Sequence, residues 1–366
     1  MMKNKLFSIV ALTSYITFFI PCSLAADFNI FGDVALTGSD NEGTSSKFVL
    51  GDLDLFVAHK INEKTFAMLE MVFEKEEHDY IVDIERLWIK HVFSDQFSIS
   101  AGRFHAPLGY WNSNFHHGTL LQDTTGRPFF LDFEDGENGI LPVHTVGLMT
   151  SGFLLSDTES WKYKVIIGNG PSLNSSNKRS LDETSKIEVN DISDKSNNKS
   201  IVARFTYQPE NSHWALGVFT NIHNIIESSD TGLVPKGETL IKQKIFGTDF
   251  QWNINNFNIL AETFILQHEE NFLNNTSYNS LAFYVQGGYK IKKDLKIIYR
   301  YSDLNFDNND IYFQLMGTKE QSHHVVTLKY DFDHYNSLKL EYNKQLFSDP
   351  LLSSNSYTIQ WSFMIP

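Results

Sequence analysis

The strongest constraint on this chain is a period of two in hydrophobicity, repeated in stretches of about ten residues. Leu281, Phe283, Val285, Gly287, Tyr289 and Ile291 alternate with Ala282, Tyr284, Gln286, Gly288 and Lys290. Leu338, Leu340 and Tyr342 alternate with Lys339, Glu341 and Asn343, and Tyr357, Ile359, Trp361, Phe363 and Ile365 with Thr358, Gln360, Ser362 and Met364. Successive strand side chains point to opposite faces, so each stretch has one apolar and one polar face. Sixteen such strands are expected, near 28–37, 47–60, 64–76, 80–93, 96–104, 143–154, 160–169, 199–208, 213–222, 240–253, 256–269, 278–291, 294–303, 321–333, 336–346 and 355–365. In the fourth, Asp83, Ile84, Glu85 and Arg86 interrupt the alternation, which suggests a bulge.

Residues 1–26 read as a cleaved signal peptide. Lys3 and Lys5 precede an apolar run, Leu6 to Ile20, and Pro21 leads to the small-residue site Ser23-Leu24-Ala25-Ala26. The run is shorter than the roughly 20 residues of a spanning helix. Pro21 and Phe19 fit poorly with a lipid-modified Cys22. That cysteine is the single one of the chain, so the exported part would use no disulfides. The balance of 44 Asp+Glu against 30 Lys+Arg disfavours a general nucleic-acid binder. No run of 18 apolar residues follows the signal, yet 30 Phe, 15 Tyr and 6 Trp coexist with a mean hydropathy of −0.26. A membrane β-barrel, greasy outside and polar inside, has this composition. The expected fold is therefore all-β, a transmembrane antiparallel β-barrel spanning 27–366 in the outer membrane. A soluble sandwich would alternate in the same way but in shorter strands.

Short turns fall after the even-numbered strands, at Asn62-Glu63, Ser94-Asp95, 156–160, 209–212, Asn255-Asn256, 292–294 and 334–336. Longer connections follow the odd ones. Outer-membrane barrels pair short periplasmic turns with long external loops, so both ends of the barrel are expected on the periplasmic side. The stretch 171–199, rich in Ser, Asn and Asp, reads as a mobile external loop. The third external loop, 105–142, is different. It contains Pro107, Pro128 and Pro142 and is unusually apolar, with Tyr110, Trp111, Phe115, Leu120, Leu121, Phe129, Phe130 and Phe133. A loop this long is usually functional, and its aromatics favour packing against the inner wall.

In strand number, signal and loop order the chain resembles the bacterial outer-membrane porins, whose third loop folds into the lumen and narrows the pore. The stretch Ala101-Gly102-Arg103-Phe104-His105-Ala106-Pro107-Leu108-Gly109 resembles the strand-to-loop passage of the phosphate-selective porin O/P-like group. The resemblance implies a passive channel for small hydrophilic solutes or ions, in contact with outer-membrane lipid and often a homotrimer, with no nucleic-acid partner and no cofactor.

Alternation places Arg86, Lys162, Lys164, Arg204, Lys296 and Arg300 on the inner face, with Glu70 among the acids of the second and third strands. Acids gather early and bases late, so they would face each other across the lumen and set up a transverse field. Asp132, Glu134, Asp135 and Glu137 are candidates for the acidic side of a constriction, with Arg103 and Arg127 expected to pair with them. His105, His116 and His117 complete the candidate pore-lining set; with His144 and His323-His324 they invite a metal, but no ligand spacing supports one and none is expected. No nucleophile motif such as G-x-S-x-G is found, so no catalytic residue is assigned. Two alternatives stay open: a non-conducting barrel with a binding, adhesin or structural role, and a barrel enzyme.

Overall fold

A computed structural model describes residues 26–40, 45–75, 80–115, 118–132, 139–155, 159–174, 186–189, 198–228, 233–271 and 276–366. Sixteen long antiparallel strands form one sheet: β1 Asp27–Ser39; β2, in two pieces, Lys47–Leu50 and Leu53–Asn62; β3 Thr65–Lys75; β4 Tyr80–Ser94; β5 Phe97–His105; β6 His144–Leu155; β7 Glu159–Asn169; β8 Lys199–Pro209; β9 Trp214–Glu227; β10 Thr239–Ile254; β11 Phe257–Glu270; β12 Ser277–Lys292; β13 Leu295–Asn305; β14 Gln321–Asp331; β15 Asn336–Phe347; β16 Ser354–Ile365. Each pairs with its sequence neighbour, and β1 pairs with β16 from Ile30↔Ile365 to Ser39↔Ser356, closing the barrel. Closure leaves no edge strand, which is what a sheet needs in lipid.

The expected strand bounds hold to within two residues, with one exception. β9 runs on to Glu227, where the apolar-rich end Ile222-His223-Asn224-Ile225-Ile226 had hidden its alternation. The bulge in β4 is present: pairing with β3 slips between Glu70↔Arg86 and Met71↔Ile84, leaving Glu85 over.

The outer face is apolar. Val285, Tyr299, Ile265 and Leu340 are each more than 40% exposed, while their neighbours Tyr284, Ile298 and Phe264 are buried. At the rim of short turns, aromatic rings touch from strand to strand. Trp161, Tyr207, Trp214 and Phe250 form one run, and Tyr330, Phe332 and Trp361 another. Such a girdle marks a membrane–water interface. No helix among the described residues is long and apolar enough to cross a membrane.

The connections opposite the short turns carry the irregular structure. Between β5 and β6 lie a short helix α1, Gly109–Asn114, and two 3-10 turns, Thr119–Leu121 and Phe129–Leu131. Between β13 and β14 lies helix α2, Ile311–Met316, capped by the Asp310 carboxylate, which accepts the Tyr312 N–H. The stretch 171–199, expected to be a mobile external loop, contains among its described residues a paired ribbon, Ser172–Asn174 with Lys186–Glu188, whose Leu173 and Ile187 are buried; its polar composition had masked two apolar anchors. Together with α2 and the third connection they form an apolar cluster that includes Phe130, Ile140, Leu141, Leu173, Tyr312 and Phe313.

One close approach in the barrel wall fixes a glycine. At Gly102 in β5 φ is +142°, and a Cβ would lie 2.0 Å from the Leu87 carbonyl oxygen. Strained backbone of this kind costs about 1–3 kcal/mol for a residue with a side chain. Gly102→Ala is expected to lower the urea midpoint of unfolding in detergent. Gly287→Ala, where no atom lies within 4 Å, should leave it unchanged.

Candidate functional site

The third connection is hydrogen-bonded to side chains of the barrel strands at Trp111 and along Thr119–Arg127. Gly109 starts α1 with φ +82°, where a Cβ would collide with the Glu262 carboxylate. That closeness lets buried Glu262 accept the Trp111 N–H at 2.6 Å and the Tyr284 hydroxyl at 2.8 Å. The N–H is one of those a helix start leaves without an internal partner. The Trp111 side chain is fully buried against Phe115 and Tyr284. Asn112 donates to the carbonyls of Ala106 and Val143, tying the two ends of the connection together.

Further on, cations of the far wall converge on the turn around Thr119–Arg127. Arg300 donates to Thr124 Oγ1 at 2.8 Å and to the carbonyls of Gly126 and Arg127 at 3.0 Å, and its guanidinium lies 5.5 Å from the Trp111 ring. Lys339 donates to the carbonyls of Thr119 and Thr124, and Lys329 to that of Leu120. Lys296 pairs with Asp123. Glu341 accepts the Thr125 N–H and hydroxyl, and Asp33 accepts the Thr119 hydroxyl. A buried charge is tolerated only when it is paired and hydrogen-bonded, and backbone carbonyls supply that here. Phe129 and Phe130 then pack on His323 and Phe264, and Tyr312 of α2 donates to the Ile140 carbonyl.

The turn occupies some of the predicted inner-face cations. Arg300 and Lys296, expected among the pore-lining or constriction residues, bond to the connection, whose carbonyls and Asp123 offer them partners that water would otherwise supply. Arg103 donates to the Glu85 carbonyl and to Asp83 on its neighbour strand β4; most of the connection acids expected to pair with it lie outside the described residues. Arg204 forms a two-bond pair with buried Asp249 at 2.7 and 3.0 Å. Glu70 pairs with Arg86, and His105 Nε2 lies 3.4 Å from Glu70. His116, His117, Glu134, Asp135 and Glu137 lie outside the described residues. Asp33, Asp123, Glu262, Lys339 and Glu341 were not singled out as site residues. The alternation put Glu262, Lys339 and Glu341 on the inner face, but nothing in the sequence pairs them with residues some 150–220 positions away.

Among the described residues, three neighbouring cavities lie beside the connection. One, of about 220 Å³, is lined by Asp33, Asp52, Asp54, Asp132 and Arg127 among others. A second, of about 170 Å³, shares Phe31 and Asp54 with it and adds Glu70, Arg86 and His105. A third, of about 180 Å³, shares Ser113 and Asn114 with the second and is lined by Lys162, Lys164 and Arg204. The space therefore follows the end of α1 from an acid-rich wall on β1–β3 to a base-rich wall on β7 and β8.

No protein-family model matches the chain, and no curated protein matches it. Solved structures do. The chain has the fold of bacterial outer-membrane barrels. It is similar to the outer-membrane channel DcaP of Acinetobacter baumannii, with 13% identity, TM-score 0.58, and 93% of this chain and 97% of that one covered. It is also similar to the anion-selective porin of Comamonas acidovorans, with 9% identity, TM-score 0.56, and coverage of 93% and 99%. OmpF of Salmonella typhi matches at 11% identity, TM-score 0.56, and coverage of 93% and 97%. At these identities the likeness establishes the fold and not the solute.

The wall cations make the turn removable by mutation. Charge-assisted hydrogen bonds contribute about 1.5–3 kcal/mol each. Arg300→Met is expected to raise proteinase K cleavage within 118–128 of the folded barrel at least about tenfold, the equivalent of about 1.4 kcal/mol of local opening. Exposed Lys242→Met, at an ion pair on the loop rim, should not change it.

Proposed function

We propose that the protein is an outer-membrane porin through which small hydrophilic solutes or ions diffuse passively, in a lumen narrowed by residues 105–142. The observation that supports this reading is the pairing of a closed sixteen-strand barrel with a third connection bonded to strand side chains such as Arg300, beside a polar space whose two sides differ in charge. Acids on one side and Lys162 and Lys164 on the other give a transverse field that orients dipolar solutes and sorts ions. Residues 1–26 would direct export and be removed. A homotrimer is the assembly in keeping with this reading; one similar structure, OmpT of Vibrio cholerae, is described as a trimer form. Catalysis is not part of the proposal.

The stretch 101–109 resembles the phosphate-selective porin O/P-like group, but phosphate selectivity is not proposed. Arg300, Lys296 and Lys339, the cations that could extend a basic ladder, are engaged by the connection. A second reading draws on the apolar cluster of Phe130, Ile140, Leu173, Tyr312 and Phe313: a barrel closed at its loop end that binds rather than conducts.

Single-channel recording in a planar bilayer separates the two. The porin reading expects steps of stable conductance that grow when residues 110–135 are deleted. The double variant Lys162→Gln, Lys164→Gln is expected to move the reversal potential toward cation selectivity. Folded protein without conductance would overturn the porin reading, and an unchanged reversal potential would remove these two lysines from the path.

A further inference from the structure

The bulge in β4 has a chemical consequence at the two ends of the third connection. His105 is the last residue of β5 and His144 the first of β6, and they are direct cross-strand partners, so their side chains share a face. Their rings lie 5.3 Å apart between centroids. β4 pairs with β5 at Leu87↔Arg103, and continuing that register by two residues sets Glu85 opposite His105. Glu85 is the residue the bulge leaves over, and it turns inward: it is 2% exposed, while Ile84 beside it is 42% exposed. One ligand atom from each of Glu85, His105 and His144 lies within 4.8 Å of the others. A carboxylate oxygen of Glu70 lies 3.4 Å from His105 Nε2.

We propose that Glu85, His105 and His144 form a site for a divalent transition-metal cation such as Zn²⁺, with Glu70 placed as a fourth ligand. Two imidazoles and a carboxylate are a donor set that suits Zn²⁺. Bonds of about 2.0–2.2 Å in a tetrahedron put ligand atoms roughly 3.3 Å apart, close to the His105–Glu70 separation. The remaining two ligands, Glu85 and His144, touch each other directly, and a metal would enter between them as their side chains rotate apart. Carboxylates outnumber guanidinium groups beside the site: Glu70, Asp83 and Glu85 against Arg86 and Arg103. The cavity lined by Glu70 and His105 provides the way in. The ion would join both ends of the connection to β4, fixing its base on the wall. In its place, carboxylate–imidazole pairing alone would hold the same residues without metal.

The test is equilibrium dialysis and calorimetry with Zn²⁺ on chelator-treated, folded barrel in detergent, with folding checked by heat-modifiable migration in electrophoresis. One Zn²⁺ per chain is expected, as is a tetrahedral visible spectrum with Co²⁺. His144→Gln and Glu85→Gln should each weaken Zn²⁺ at least about tenfold, and His334→Gln, in an exposed turn, should not. Zn²⁺ binding to the wild-type protein no greater than to the folded double variant His105→Gln, His144→Gln overturns the site. So does binding that Glu85→Gln leaves intact. These readouts are independent of conductance, so the site and the porin reading stand or fall separately.

Discussion

Closure of the ladder between β1 and β16 is the condition on which the rest depends. In a bilayer every backbone N–H and C=O must find a partner within the protein, and an open sheet cannot do so. Once the ladder closes, period-two alternation divides the side chains into a lipid-facing apolar set and an enclosed polar set. Enclosed charges then need partners. Arg204 finds one on the wall itself, in Asp249. Arg300, Lys329 and Lys339 find theirs in main-chain carbonyls of the third connection. The connection supplies what the wall lacks, and its own unpaired groups are met in turn by Glu262, Glu341 and Asp33. Aromatic burial adds to this docking; a fully buried side chain such as Phe130 is worth about 1.5–3 kcal/mol.

The polar space beside the connection owes its asymmetry to strand order. β1–β3 contribute Asp33, Asp52, Asp54 and Glu70, while β7 and β8 contribute Lys162, Lys164 and Arg204. The strand order sets acids and bases on different walls, and α1 lies between them with Ser113 and Asn114 shared by the adjoining cavities. This separation is the basis of the proposed field.

Strand positions were legible because alternation is a local signal: β12 shows it residue by residue from Leu281 to Ile291. The third connection was legible as exceptional from its length and its aromatics. Partners were not. Alternation assigns Arg300 to the inner face, but whether it meets water or a carbonyl 173 residues earlier depends on the folded path of the connection. The same holds for Arg103, which donates to Glu85 and Asp83 on the neighbouring strand. Helix α2 was missed because six residues are too few to show a helical period. The interruption at 83–86 was visible as broken alternation, but its result, Glu85 turned toward His105 and His144, required the register of three strands at once.

The central claim is that the wall holds the third connection in place. Hydrogen–deuterium exchange of residues 109–131 in the folded barrel tests it most directly. The Trp111 and Thr125 amides, each bonded to a wall carboxylate, are predicted to exchange at least about 100-fold more slowly than in a free peptide, as local opening of about 3 kcal/mol requires. Exchange of these amides at the free-peptide rate, with the strands still protected, would contradict the account.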